Sequence, residues 1–438
     1  MHAYPFVTLH QTAAIYGVNS RRLERTPGEY EHLSSKNEIL AYYEAVLNDL
    51  LATGRVSFFP LTEANIAGPR PRQFKSLING AISTVSDNAK IVDATYTRTQ
   101  VPSTHGAHLR YAVEEGVDLV PINDLPSRAI SANWECYCVI GAGKTGIDAV
   151  LWLLGNGVAP RRIKWITPND SWLFVREAVT PPFFYMNHLS SQGLFALIDS
   201  TFPVIDDLTH KSLVASFEKA GLLARIDPNM APTKFKGATA SRSEIKQLRR
   251  VRDIGGIVRL GRVLKLAASG GSIQATLEQG KLELPKRTLF VDCSTDGTVA
   301  TRAVPVFNAS KITLQTIWSH IPLSAAAIAR LEAQGGSDAE KNKLATVIPF
   351  ATGGANARRD ISRIAYQLEV AKETWKQDRK FWNWLTSSRL MAETHSTGLW
   401  ISVWKSLKRP KTALRLVKMN QKLAPALRRV CIQEGGDC

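Results

Sequence analysis

The chain is predicted to be an α/β protein: a parallel sheet with helices, an antiparallel meander and a helical C-terminal region. Three observations lead there. A short apolar run at 137–140 passes directly into a glycine-rich turn and then into a helical apolar pattern. Three strand-like runs separated by Gly-rich turns fill 257–293. Beyond residue 310 apolar residues recur mostly at helical spacing.

In chain order, residues 1–25 hold a polar and aromatic cluster without an amphipathic helix: Tyr4, His10, Gln11, Tyr16, Asn19, Arg21 and Arg22. A helix is expected over 34–51, capped by Ser34 or Ser35, with Leu40, Tyr43, Val46 and Leu50 or Leu51 on one stripe. Val56 to Phe59 reads as a strand, 62–72 as a loop, and short strands come next near 80–85 and 90–96. Residues 97–129 have no strong period.

The central stretch, residues 137–157, reads YCVIGAGKTGIDAVLWLLGNG. It contains Gly141-x-Gly143-x-x-Gly146 between a strand and a helix, the context that a dinucleotide fingerprint requires. Gly141 permits the tight turn, Gly143 lets the backbone approach a pyrophosphate, and Gly146 lets the helix pack closely on the strand. The helix N-terminus presents unpaired N–H groups to phosphate oxygens. Lys144 and Thr145 lie in the same loop, where Thr145 could donate to a phosphate or simply be solvated. This predicts a Rossmann-like NAD(P)-binding domain over about 131–293. Its helix should end near Asn156, with Gly157 as the C-cap residue.

Arg162 to Thr167 is a plausible second strand, and the residues after it bear on the choice of nucleotide. An acid there would hold ribose hydroxyls, and an arginine would favour a 2′-phosphate. Asp170 fits NAD and Arg176 fits NADP, so both stay open. Residues 168–250 are expected to hold several helices, and 257–293 the three-stranded meander, IVRLGRVLKL, GSIQATLEQ and KLELPKRTLFVDC.

Formal net charge is +17. Nine Lys or Arg against two acids in 401–438 supply +7 of it. That balance favours anionic ligands. No helix-turn-helix, ribonucleoprotein or zinc-finger pattern accompanies it, so no nucleic-acid partner is expected. The basic tail could lie on an acidic membrane as a peripheral helix. The preferred reading is a solvated helix face docked on the core, with Pro410 and Pro425 interrupting any long helix. No run is apolar enough to span a bilayer, and MHAYPFVTLHQ lacks the plan of a secretory signal. Five scattered cysteines suggest neither a disulfide framework nor a metal site, and a reducing, cytoplasmic compartment.

Five segments carry a resemblance: YPFVTLHQ at 4–11, YGVNSR at 16–21, VDATY at 92–96, VIGAGKTGIDA at 139–149 and FVDCSTDG at 290–297. On these, from Tyr4 to about residue 320, the chain resembles flavin-containing-monooxygenase-like FAD/NAD(P)-dependent oxidoreductases. The resemblance implies a partial FAD-binding-type domain at 1–130 and the NAD(P)-binding domain at 131–293. Residues 294–438 would return to the flavin domain and end in helices. It implies FAD as well as NADP or NAD, and leans towards NADPH. It places His10, Gln11 and Asn19, with Tyr4, near the flavin ring. Asp296 and Gly297 would lie at the flavin ribityl or phosphate, or in a plain turn.

Members of this group carry two glycine fingerprints, and Gly141 to Gly146 matches the second. The first, for FAD, has no counterpart, so the sequence looks like a member lacking roughly 40 residues, one βαβ unit. A shortened gene model and a natural variant without tight flavin binding both fit. The implied activity is hydride transfer from NAD(P)H to flavin and oxygenation of a small organic substrate. The alternative is an NAD(P)-binding protein without catalysis. No GxSxG motif or redox cysteine pair suggests chemistry by side chains alone.

Overall fold

The computed structural model describes residues 3–26, 31–65, 72–96, 109–179, 200–294, 303–318, 320–348, 360–391 and 410–433. Its centre is a five-stranded parallel sheet in the order Ile257–Val258, Ile163–Ile166, Cys136–Ile140, Thr288–Asp292, Asp118–Pro121. Val139 lies opposite Trp165 on one side and Val291 on the other. From Cys136–Ile140 the chain moves outward through two strands, then crosses back to Thr288–Asp292. The order therefore reverses beside the glycine turn, which is where open α/β sheets bind ligands.

Side chains of Cys136–Ile140 alternate between two apolar layers, as the two-residue period of a strand requires. Tyr137 and Val139 join Ile147, Val150 and Leu153 of helix Lys144–Gly155 and Leu248 and Val251 of helix Arg242–Asp253. Cys136, Cys138 and Ile140 face Leu266, Ile273, Ala275 and Leu284 of the meander. With both faces covered, the strand is buried at every position, and so is Thr288–Asp292.

The meander is real but shorter than expected. It comprises Val263–Ser269, Ser272–Leu277 and Gly280–Pro285. The two ends of the 257–293 region leave it: Ile257–Val258 and Thr288–Asp292 both join the parallel sheet. Gly261, at φ +81°, turns the first away. Within 168–250 the helices are joined by a three-stranded sheet, Leu223–Ala224, Ser171–Val175, Lys234–Ala240, which the helical reading missed. Asp118–Pro121, in a stretch without periodicity, is the edge strand of the central sheet. Four residues are too few to show a period.

The 34–51 helix forms as Lys36–Ala52, with Ser35 and Glu38 making a reciprocal capping box. Its expected apolar stripe is not buried: Leu40, Tyr43, Leu50 and Leu51 are exposed, and Tyr42 alone is buried. Val56 to Phe59 is not a strand, and Phe58 and Phe59 are exposed. Strands form at Thr62–Asn65 and Gln73–Ser76, and those expected near 80–85 and 90–96 form as Ile82–Thr84 and Ile91–Asp93. The first of these begins where a loop was expected.

Beyond residue 320 the structure is helical, as expected. Trp375 packs tilted against Trp318 at 4.9 Å between ring centroids and meets Phe381 edge-on. These rings form a separate core with Leu323, Ile328 and Leu331 of helix Ile321–Gln334. The basic tail is one helix, Pro410–Gln433, which begins at Pro410 and continues through Pro425. Met419, Ala426, Leu427 and Val430 pack on Ile205, Leu208 and Leu213, and Lys422 pairs with Asp206. The tail is thus docked on the core. Cys431 is disulfide-bonded, which the scattered cysteines did not suggest. No helix among the described residues is long and apolar enough to cross a membrane.

Candidate functional site

Two of the three glycines of the 141–146 turn are required by close contacts, each a different one. Gly141 has φ +118°, and a Cβ on it would lie 2.7 Å from the Cys293 carbonyl oxygen. That carbonyl ends the neighbouring strand, so the turn sits hard against the point where strand order reverses. A Cβ on Gly146 would lie 2.0 Å from the Gly141 carbonyl oxygen. The helix packs on its own turn there, as a fingerprint's third glycine allows. Gly143 differs, since nothing lies within 4 Å of a Cβ placed on it. It is the N-cap of the helix and offers no side-chain cap, so it leaves the first helical N–H groups without one.

The turn is held by bonds the sequence did not announce. Gly141 N–H donates to the Ile166 carbonyl at 3.0 Å, and Trp165 Nε1 donates to the Gly141 carbonyl at 2.8 Å. Trp165 could have been suspected as a large side chain inside a buried strand. Its bond to the turn depends on the register of two strands.

The N-terminal segment packs against the second and third turns of the helix. Phe6 packs on Trp152 at 5.4 Å, and Tyr4 Oη donates to Asp148 Oδ2. Lys144 pairs with the same carboxylate, one helical turn away. Arg176 donates from Nε to the His10 carbonyl at 2.9 Å and pairs with Glu244 at 2.8 Å. So His10, Lys144 and Arg176, separated in sequence, meet beside the glycine turn, with Asp148 and Glu244 as counter-charges. Asp148 was missed, although its i, i+4 spacing from Lys144 was readable.

Burial, with Lys144 and Arg176 nearby, lowers the His10 imidazole to about 4, so it is neutral at physiological pH. Burial and the Asp148 carboxylate raise the Tyr4 phenol well above its ordinary value. Burial works to raise the Glu244 carboxyl, but the Ser241 N–H and Arg176 outweigh it and hold it low.

Other candidates stand elsewhere. Asp170 accepts from Arg259 at 2.8 and 3.1 Å, and Arg259 also pairs with Asp227 at 3.1 Å. Its carboxylate is thus engaged by the chain itself, on the far side of the second strand. Asn19 Oδ1 accepts from Ser388 Oγ at 2.9 Å, which ties it to the C-terminal region. Gln11 precedes Thr12, the cap of the short turn Ala13–Ile15. Thr145 is half-buried in the first turn of the glycine helix. Asp296 and Gly297 lie outside the described residues. No group of three or more metal-binding side chains occurs among the described residues.

No protein-family model matches the chain. Among solved structures, the Kutzneria sp. 744 ornithine N-hydroxylase is 14% identical, covering 60% of this chain and 59% of that one, with a TM-score of 0.31. The S-allyl-L-cysteine S-oxygenase of Allium sativum is 10% identical, covering 98% and 84%, with a TM-score of 0.37. Scores this low carry no inference about this chain. Two sequence relatives are far more similar: the uncharacterized proteins Rv2000 of Mycobacterium tuberculosis and Mb2023 of Mycobacterium bovis. Each is 39% identical over 403 residues, 89% of this chain and 69% of its own length. At that identity and coverage, the chain belongs to the family of these mycobacterial proteins.

Proposed function

We propose that the chain binds NAD(P)H at Gly141–Gly146 and acts as a flavin-dependent NAD(P)H oxidoreductase of monooxygenase type on a small organic substrate. One observation carries the nucleotide half. A strand–turn–helix with an open backbone cradle at Gly143 stands where the sheet order reverses. The pyrophosphate would lie on the N–H groups of the first helical turn, with Thr145 beside it. Lys144 brings a cation to the same place, held back by Asp148 while no anion competes. His10, neutral and flanked by Lys144 and Arg176, offers an uncharged hydrogen-bonding group at the edge of the site.

NAD(P)H supplies a hydride, and FAD is the acceptor that the sequence resemblance implies. The described residues provide one glycine cradle, and it fits a nicotinamide dinucleotide. The flavin half therefore rests on the segments at 4–11, 16–21 and 290–297. The second reading is an NAD(P)-binding protein without flavin.

Titration of the purified chain with NADPH and NADH, before and after Gly143→Ala, tests the first half. Wild type should bind one of them, and the variant should fold normally and bind at least about tenfold more weakly. Equal binding by both proteins would sink the cradle. Absorption spectra with and without added FAD test the second half. A bound flavin bleached by NADPH without oxygen supports the oxidoreductase. A folded protein that takes up NADPH but no flavin supports the non-catalytic reading.

A further inference from the structure

The three-stranded sheet at 171–240 and helix His210–Lys219 line an open cavity of about 320 Å³, near the lower end of small-molecule sites. None of its lining residues belongs to the glycine turn. Trp172 supplies the accessible aromatic surface, Ala215, Ala231 and Pro232 an apolar wall, and Val214 and Phe235 line it as nearly buried side chains. Three cations line it, Lys211, Arg225 and Lys234, against one carboxylate, Glu218. Glu218 is already engaged by Arg225 through two bonds, of 2.7 and 3.0 Å. The guanidinium of Arg225 lies 5.4 Å from the centre of the Trp172 ring.

The Arg225–Glu218 pair is neutral in sum, so the cavity stays positive through Lys211. That lysine is exposed and makes no ion pair among the described residues. A positive, partly aromatic pocket of this size selects a flat ring bearing an acidic group: the ring takes the aromatic surface and the acid a lysine. The far wall is fixed by Thr233 and Lys234, whose N–H groups donate to the Asp170 carbonyl at 3.0 and 3.2 Å. The pocket is therefore built into the fold.

We propose that this cavity is a second ligand site, for a planar aromatic anion, separate from the nucleotide turn and independent of the function proposed above. Isothermal titration of the whole chain with naphthalene-2-carboxylate, its neutral carboxamide and inorganic phosphate tests it. The acid should bind saturably, and the amide and phosphate at least about tenfold more weakly. Lys211→Ala should weaken the acid by about five- to tenfold. Because Lys211 is exposed, that variant reads binding rather than folding. Trp172→Leu should weaken it more, and excess NADPH should leave it unchanged. Absence of saturable binding up to about 1 mM acid would overturn the proposal. So would equal affinity for acid and amide, or wild-type binding by Lys211→Ala combined with Lys234→Ala. Competition by NADPH would assign the cavity to the nucleotide instead.

Discussion

Helix Lys144–Gly155 and helix Lys36–Ala52 both carry apolar residues at helical spacing, the first more densely, yet their surroundings are opposite. The first buries Ile147, Ala149, Val150 and Leu153 against a sheet and a second helix. The second has the better N-terminal cap and buries only Tyr42. Its neighbours continue the pattern: Phe58, Phe59, Leu61, Leu77, Ile78 and Ile82 are all exposed, Ile78 by 74%. Caps and periodicity thus specify that a helix forms. Whether its apolar face is covered depends on which elements reach it. In the lobe of the parallel sheet five strands and two helices close on one core. In the lobe at 36–84 a three-stranded sheet and one helix leave much of their apolar surface open.

The largest expected effect lies in the closed lobe. Gly146→Ala places a methyl group where the Gly141 carbonyl stands, so the helix must lift from the sheet. Gly141→Ala is strained by its positive φ as well as by Cys293. Each should cost more than about 3 kcal/mol and abolish NADPH binding, read by thermal or urea denaturation alongside titration. Gly143→Ala, with open space around it, should leave stability within about 1 kcal/mol. If all three variants behaved alike, the account of the turn would fail.

A second effect is set by pH. His10 and His320 are each lowered from 6.5 to about 4, by burial first and then by nearby cations, Arg389 in the case of His320. Depressed folded values mean that full stability is present above about 6.5 and is lost as pH falls towards 4. Each histidine should contribute roughly 3 kcal/mol to that loss. Denaturation measured from pH 7 to 4 should show the slope, and His320→Phe should remove part of it. A flat profile would contradict the burial of both rings.

Smaller again is the Asp170–Arg259–Asp227 group at the edge of the closed lobe. Arg259→Ala leaves two largely buried carboxylates without their cation and should cost about 2 kcal/mol in urea denaturation. Asp170 is then freed. A simultaneous gain in NADH affinity would identify it as the ribose-binding acid, and unchanged affinity would confine it to a structural role.

The smallest effects belong to the open lobe. Phe58→Ser and Ile78→Ser should each change stability by less than about 0.5 kcal/mol, because neither side chain is covered. A loss of 2 kcal/mol or more would show that something packs there and would erase the contrast between the lobes. Lys422→Ala, at an exposed ion pair, should be similarly mild.

Much of the central architecture was legible in the sequence. The glycine spacing, the short apolar run before it and the helical pattern after it specify the turn, because only glycine tolerates φ +118° and the close approach at Gly146. Ser34 or Ser35 was readable as a helix cap for the same local reason, and the structure uses Ser35. Short elements were not legible: Asp118–Pro121 and Ile257–Val258 are too brief to show a period, and their places come from pairing with distant strands. Thr288–Asp292 was read as the end of a meander, although its unbroken apolar run suits a strand covered on both faces.

The site divides in the same way. The sequence by itself determined the cradle, since its requirements are backbone conformations and the absence of side chains at three positions. Only the tertiary structure decided what surrounds it: that Trp165 locks the turn, that Tyr4 reaches Asp148, that Arg176 reaches back to His10, and that Asp170 is held by Arg259. Those contacts join residues 24 to 166 positions apart. No local spacing encodes them, because they exist only once the strands have paired and the helices have packed.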